Sequence, residues 1–361
     1  MSNRKKAVYE ALRRRLHRFA IGAPESALAY SILETLFTGE EAVMAASFPE
    51  LPVRADFFAS GDFGDRARVE ALLEGMAGKG LIYSGERKGE KYFALIPVVP
   101  GIFELQFMKG ETTALTMELA KLFEQYYYDG WGKEMAESPT PYSRVIMVEK
   151  QIPFGVEVFP YEQVSHFVQE ANYLALTTCS CRHKARLLGH GCGAPAEDMC
   201  MLFGPFAMFC VARGFAREAT PEEVFRVLDR AEEEGLVHIT GNVQKSVDFI
   251  CNCCGCCCGM LAGITKMKFP WSVAHSNFIL QVKSEDCAGC KVCIDRCQVQ
   301  ALAVVDGVAA VDGSRCIGCG VCTLKCPTGA LAMVQREELI VPKANLRELQ
   351  AAIKQEKGKL P

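Results

Sequence analysis

No cysteine precedes Cys179 in this 361-residue chain, although 19 occur between Cys179 and Cys326. An unbroken apolar run of the roughly 18 residues that a bilayer span requires is missing as well. The longest candidate, Met199 to Ala212, contains Gly204 and Pro205 and stops at Arg213. The opening Met1-Ser2-Asn3-Arg4-Lys5-Lys6 leads into no apolar segment, so no secretory signal is expected and a cytoplasmic location is. A basic excess is lacking: the formal net charge is −3, which argues against whole-protein adhesion to nucleic acid. There is no G-x-G-x-x-G at a strand–helix boundary, no phosphate loop ending in Gly-Lys-Ser or Gly-Lys-Thr, and no G-x-S-x-G elbow. Nicotinamide, flavin and ATP sites go with them. An odd number of clustered thiols in such a chain points to metal thiolates and not to a disulfide framework.

What is present is half apolar and 23% charged, enough to bury real cores in two or three domains. Residues 1–20 read as a basic amphipathic helix, with Arg4, Lys5, Lys6, Arg13, Arg14, Arg15 and Arg18 set against Glu10. Val8, Leu12, Leu16 and Phe19 recur at helical spacing, so docking by an apolar stripe is favoured over peripheral membrane or nucleic-acid contact. Residues 21–100 give helices and then a hairpin, with strands at Leu81-Ile82-Tyr83 and Tyr92-Phe93-Ala94-Leu95. This order resembles a winged helix-turn-helix domain. A DNA reader needs a basic recognition helix, and this one carries Asp65, Glu70 and Glu74 against Arg66 and Arg68. A docking module is therefore favoured, and nucleic acid is not an expected partner.

Residues 101–178 read as scaffold: a helix bearing Leu115, Leu119, Leu122 and Tyr126, a linker at Ser138-Pro139-Thr140-Pro141, and a strand, Leu174-Ala175-Leu176, leading to Cys179. Residues 179–270 form the central Cys-rich unit. Within it, Thr220-Pro221-Glu222-Glu223 starts a capped helix that Gly235 ends. A last helix is expected within 337–361, carrying Leu346, Leu349 and Ile353 on one side.

Residues 280–336 hold the strongest signal. Cys287-Ala-Gly-Cys290-Lys-Val-Cys293-Ile-Asp-Arg-Cys297 is repeated as Cys316-Ile-Gly-Cys319-Gly-Val-Cys322-Thr-Leu-Lys-Cys326-Pro327. A cubane cluster needs thiolates at four tetrahedrally arranged irons. Two-residue gaps let one tight loop wrap three corners, and the fourth must come from elsewhere. The pattern resembles a bacterial two-cluster ferredoxin, in which the fourth Cys of each run ligates the other cluster. The resemblance implies Cys287, Cys290, Cys293 and Cys326 around one 4Fe–4S cluster, and Cys316, Cys319, Cys322 and Cys297 around a second. Zinc is the alternative for paired Cys-x-x-Cys. One departure stands out: Pro327 follows Cys326 as in the family, but Gln298 follows Cys297.

The central unit holds eleven thiols: Cys179, Cys181, Cys192, Cys200, Cys210, Cys251, Cys253, Cys254, Cys256, Cys257 and Cys258. Cys210, in an apolar helix, reads as packing. Adjacent cysteines diverge on any regular element, so two to four of the 251–258 run should face one site, with Asn252 and Gly255 permitting a tight loop. At least one further iron–sulfur cluster is expected. Its ligands would be Cys179, Cys181, Cys192 and Cys200, or a mixture of these with the 251–258 run; zinc, a reducible dithiol and plain burial are the rivals. Cys253-Cys254-Gly255 resembles the Cys-Cys-Gly domain of heterodisulfide-reductase-like subunits, but the Cys-x-x-Cys that domain would need, Cys287-Ala-Gly-Cys290, belongs to the ferredoxin motif. The combined pattern is similar to iron–sulfur proteins of anaerobic bacteria and archaea. Arg182, His183, Lys184 and Arg186 would lower a thiolate pKa and raise a cluster's potential, or form a solvated basic turn. His190 and His238 read as structural.

The expected fold is thus α+β multidomain, with a winged-helix-like unit, a central Cys-rich α/β domain and a C-terminal two-cluster ferredoxin-like module. The expected function is single-electron transfer between redox partner proteins and the central thiol site through two 4Fe–4S clusters, with a component of an oxidoreductase system favoured over a stand-alone enzyme. The alternatives are a reductase with an open-site cluster or reactive Cys pair within 179–258, and a redox-sensing regulator.

Overall fold

The computed structural model describes residues 3–59, 61 and 63–359, with side chains described from Lys6 onward, so Arg4 and Lys5 lie outside the described side chains. The architecture mixes helix and sheet. Helix α1 (Asn3–His17) buries Tyr9, Leu12 and Leu16. Two of its cations are buried with that stripe. Arg13 donates to the Ala23 carbonyl at 3.0 Å, and Arg15 donates to the carbonyls of Phe48 and Pro49, both at 2.7 Å.

Helix α2 (Ala27–Leu36) is capped by Ser26, and α3 (Gly39–Ala46) by a capping box of Thr38 and Glu41. A single bridge at Val53, the short α4 (Asp56–Ala59) and the Asp65-capped α5 (Arg66–Gly78) lead to a hairpin of β1 (Ile82–Arg87) and β2 (Glu90–Leu95). Val53 pairs with Phe93 and so adds an edge to the hairpin. On α5, Arg66 pairs with Asp56 and Glu70, and Arg68 with Glu40.

Next come α6 (Phe103–Phe107), the capped α7 (Ala114–Tyr126) and α8 (Gly132–Ala136). Phe103, Phe123, Tyr126 and Trp131 pack as an aromatic cluster beneath them. Residues 138–141, expected as a linker, are a pinned seam. Ser138 is buried, and the backbone N–H of Thr140 donates to Glu356 at 2.9 Å. Alongside, Lys357 meets buried Glu134 at 3.0 Å, and Glu134 accepts the Gly22 N–H at 2.8 Å.

The centre is a six-stranded antiparallel sheet built from both sides of residue 178. It comprises β3 (Ser143–Ile146), β4 (Leu174–Thr177), β5 (Cys200–Phe203), β6 (Arg217–Glu218), β7 (Val237–Gly241) and β8 (Phe249–Cys253), in the order β3-β7-β8-β5-β4-β6. Between strands run α9 (Val164–Glu170), α10 (Ser180–Leu187), α11 (Gly204–Ala212) and α12 (Pro221–Glu233), the last opened by the Thr220–Glu223 capping box. Helix α13 (Gly259–Thr265) follows β8 directly.

In the C-terminal module, β9 (Phe278–Val282) pairs with β12 (Leu331–Gln335), and β10 (Leu302–Val305) forms a hairpin with β11 (Val308–Val311). The sequence reading expects β10 and β12; β9 and β11 are the strands they pair with. The single turn α14 (Val292–Asp295) lies within the first cysteine run, and α15 (Leu346–Glu356) closes the chain on Leu349 and Ile353.

Candidate metal centres

In the C-terminal module the fourth cysteine of each run crosses to the other. One hollow is lined by Cys287, Cys290, Cys293 and Cys326, and the other by Cys297, Cys316, Cys319 and Cys322. Two glycines make the wrapping turns possible. Gly289 and Gly318 sit at φ +62° and +73°, and a Cβ there would lie 2.4 Å from the Gly307 oxygen or 2.1 Å from the Phe278 oxygen. Backbone N–H groups point at the sulfurs: Ala301 donates to Cys297 at 3.1 Å and Ala309 to Cys287 at 3.4 Å. Burial pushes the Cys319 thiol up to about 12, so a bound cation is what would hold it as thiolate. Cysteine-only donors, left-handed wrapping turns and amides aimed at sulfur fit a 4Fe–4S group.

The eleven central thiols divide differently from any grouping by proximity in sequence. Strand alternation puts Cys251 and Cys253 on one sheet face, with Asn252 on the other. Cys200 is the register partner of Cys251, their sulfurs 3.9 Å apart. Cys179, at the start of α10, contacts Cys200, while Cys181 contacts Cys258 and Cys258 contacts Cys253. These six sulfurs form an arc. Cys200 is held well below the ordinary thiol range by the thiols of Cys179 and Cys251 on either side.

The remaining members of the 251–258 run turn away. Cys254, Cys256 and Cys257 join Cys192, all four sulfurs lying within 4.8 Å of one another. The neighbouring thiols of Cys256 and Cys257, and then Arg182, pull Cys254 far below the ordinary thiol range. Three of the six cysteines in the run thus face each group. Cys210 belongs to neither; it is buried in α11, and burial alone raises its thiol pKa.

Of the four basic residues beside Cys181, Arg182 lies among the thiols most directly, and the charge of Lys184 bears on Cys181 as well. Arg182 is 1% exposed; its Nη2 donates to the Asn252 carbonyl at 2.8 Å, and its Nε and Nη1 have no hydrogen-bond partner. Burial opposes its charge, but Cys179, Cys254, Cys200 and Cys253 outweigh burial and raise its pKa. A buried guanidinium so placed requires negative charge beside it, which thiolates supply and neutral thiols do not. The other three have hydrogen-bond or ion-pair partners of their own: His183 the Glu111 carbonyl, Lys184 the Glu124 carboxylate and Arg186 the Glu197 carboxylate. The expectation of a solvated basic turn therefore fails for Arg182, because the N-terminal turn of α10 packs into the core.

Asn252 is fully buried in extended β8 and makes no loop. Its Oδ1 meets His238 Nδ1 at 2.7 Å, and its Nδ2 donates to the Met199 carbonyl at 3.0 Å. His238 is structural, as its sequence context suggests. Gly255 answers a need for space and not for a left-handed φ: a Cβ there would lie 2.0 Å from the Gln298 oxygen. Its N–H donates to Gln298 Oε1 at 2.8 Å, and Gln298 Nε2 donates to the Gly235 carbonyl at 2.9 Å. The residue that departs from the ferredoxin pattern thus ties the Cys297 turn to the Cys254–Cys256 turn.

The arc borders an apolar cavity of about 120 Å³, walled opposite by Phe103, Phe123, Tyr127 and Trp131. Glu104 faces it; burial pushes this carboxyl up to about 8 although it accepts the Gly101 N–H at 2.6 Å. Sequence reading missed Glu104 because one acid in a scaffold helix carries no local signal.

A family model described as a 4Fe-4S binding domain matches residues 309–332, which include Cys316, Cys319, Cys322 and Cys326. No curated protein and no solved structure matches the chain. The chain carries a ferredoxin-type 4Fe–4S binding domain near its C-terminus, beside a second, central concentration of thiols.

Proposed function

We propose that the chain passes single electrons between a redox partner and the central thiol arc, through two 4Fe–4S cradles formed by Cys287/Cys290/Cys293/Cys326 and Cys297/Cys316/Cys319/Cys322. Bound clusters would supply one-electron storage without bond chemistry. One observation carries the reading: Cys253 and Cys258 of the arc share an apolar cluster with Cys297, Cys316 and Cys319 of the second cradle, and the Gly255–Gln298 contact beside it ties the two regions together. The seam is apolar, since these cysteines border the side chains of Val237, Ile239 and Ile317. Cys290 of the first cradle is solvent-exposed, which supports this cradle as the face a redox partner would meet. Arg296 and Lys325 hold the module against the end of α12, on the Glu232 and Glu233 carbonyls and the Glu233 carboxylate.

Anaerobic reconstitution followed by iron and sulfide analysis tests this. About eight irons are expected from the two cradles, and about twelve if the arc holds a further cluster. A colourless protein without inorganic sulfide would end the proposal.

The cavity beside the arc favours a second reading, a reductase that admits a small apolar substrate next to Glu104. Changes in the paramagnetic resonance spectrum on adding candidate substrates would distinguish it from pure transfer. The regulator reading has less support, because Arg66 and Arg68 on α5 are already paired with carboxylates.

A further inference from the structure

We infer that Cys192, Cys254, Cys256 and Cys257 form a closed tetrahedral site for one zinc-class cation, distinct from the iron–sulfur cradles. The argument is one of spacing. A zinc–sulfur bond of about 2.3 Å requires neighbouring sulfurs of a regular tetrahedron to lie about 3.8 Å apart. The sulfurs stand 3.7 Å apart for Cys192–Cys254, 3.6 Å for Cys256–Cys257 and 3.9 Å for Cys192–Cys257. All four fall within 4.8 Å of one another. A cubane holds each thiolate on a different iron and so keeps the sulfurs further apart than one ion can. The same chain offers the yardstick: among the described residues, no three sulfurs of either ferredoxin-type set converge within that limit.

The backbone agrees. Cys254-Gly255-Cys256-Cys257 makes one turn, closed by the Cys258 N–H on the Cys254 carbonyl at 3.2 Å, and this turn leads into α13. Cys192 arrives from the loop after α10. A cation here would clamp that loop to the start of α13, and so fix Cys251, Cys253 and Cys258 of the arc on either side. Four thiolates leave no open position, so the site is structural and not catalytic. They would also leave a net negative charge, and Arg182 is the buried cation that faces Cys254.

The test is metal analysis of the full chain, purified without oxygen and supplied with zinc and iron, together with zinc-edge X-ray absorption. The expected result is about one zinc per chain with four sulfur neighbours at about 2.3 Å. Cys256→Ser and Cys192→Ser should lose the zinc and keep wild-type iron and sulfide. If either variant instead loses about four irons with their sulfide, the site holds a cluster and the inference is overturned. Wild-type protein with no zinc, or with a single iron in its place, also overturns it, and that result needs no variant to fold. Zinc content is read independently of the C-terminal iron, so failure here and failure of the electron-transfer reading are separable.

Discussion

In the C-terminal module each set of sulfurs comes mostly from one short run, and the negative charge of the ligands is met by nearby amides such as Ala301 N–H on Cys297. In the central region every group joins residues distant in sequence, Cys192 with Cys254 or Cys200 with Cys251, and the charge falls on one buried guanidinium. The difference teaches how such sites are stabilised. Local amides come with the turn itself and travel with it as a portable motif. A single buried cation works only when the surrounding sheet is assembled, so the central sites are tied to the folding of the whole domain.

Arg182→Gln is the strongest way to break this contrast. Removing one partner of a buried charge group costs about 3–5 kcal/mol. Any metal held by the central thiols should be lost and the thermal midpoint lowered, while the iron content of the 4Fe–4S binding domain stays. Equal loss from both regions would refute the division. The next test concerns the proton on Glu104, which faces the central cavity. Glu104 titrates near 8 in the folded chain, against an ordinary carboxyl value near 4.5 when unfolded. Between those values the folded state keeps the proton and the unfolded state does not. Stability therefore falls as pH rises through this window, by up to about 1.4 kcal/mol per pH unit, and Glu104→Gln should flatten the slope in chemical denaturation.

Smaller effects probe the seam between the regions. Gly255→Ala would press a methyl group against the Gln298 carbonyl and should cost about 1–3 kcal/mol, with slower redox equilibration between the regions in rapid-mixing spectroscopy. Gln298→Ala leaves the Gly255 N–H and the Gly235 carbonyl unpaired; a loss near 1 kcal/mol is expected in denaturant midpoints, with iron content unchanged. Unaltered equilibration in Gly255→Ala would show that the contact is packing only.

Much was legible in the residues themselves. The capping box at Thr220 and Glu223, the buried faces of α1 and α15, and the two cysteine runs are all local patterns, because i to i+3 geometry is fixed by covalent spacing. Gln298 was visible as a departure, but its reason was not, since its partners lie 43 and 63 residues away. The expectation of a tight loop at Asn252 failed because burial between His238 and Met199 outweighed its turn preference.

The chain's order of residues alone determined that thiols would concentrate in its second half and that Cys316, Cys319, Cys322 and Cys326 would lie in a 4Fe–4S binding domain. Only the tertiary structure decided how the 251–258 run is shared: strand alternation sends Cys251 and Cys253 to the sheet face, and the following turn sends Cys254, Cys256 and Cys257 to Cys192. The physical reason is range. A turn is specified by neighbours along the backbone, whereas the partner of a strand residue is chosen by the order in which β7, β8, β5 and β4 pack.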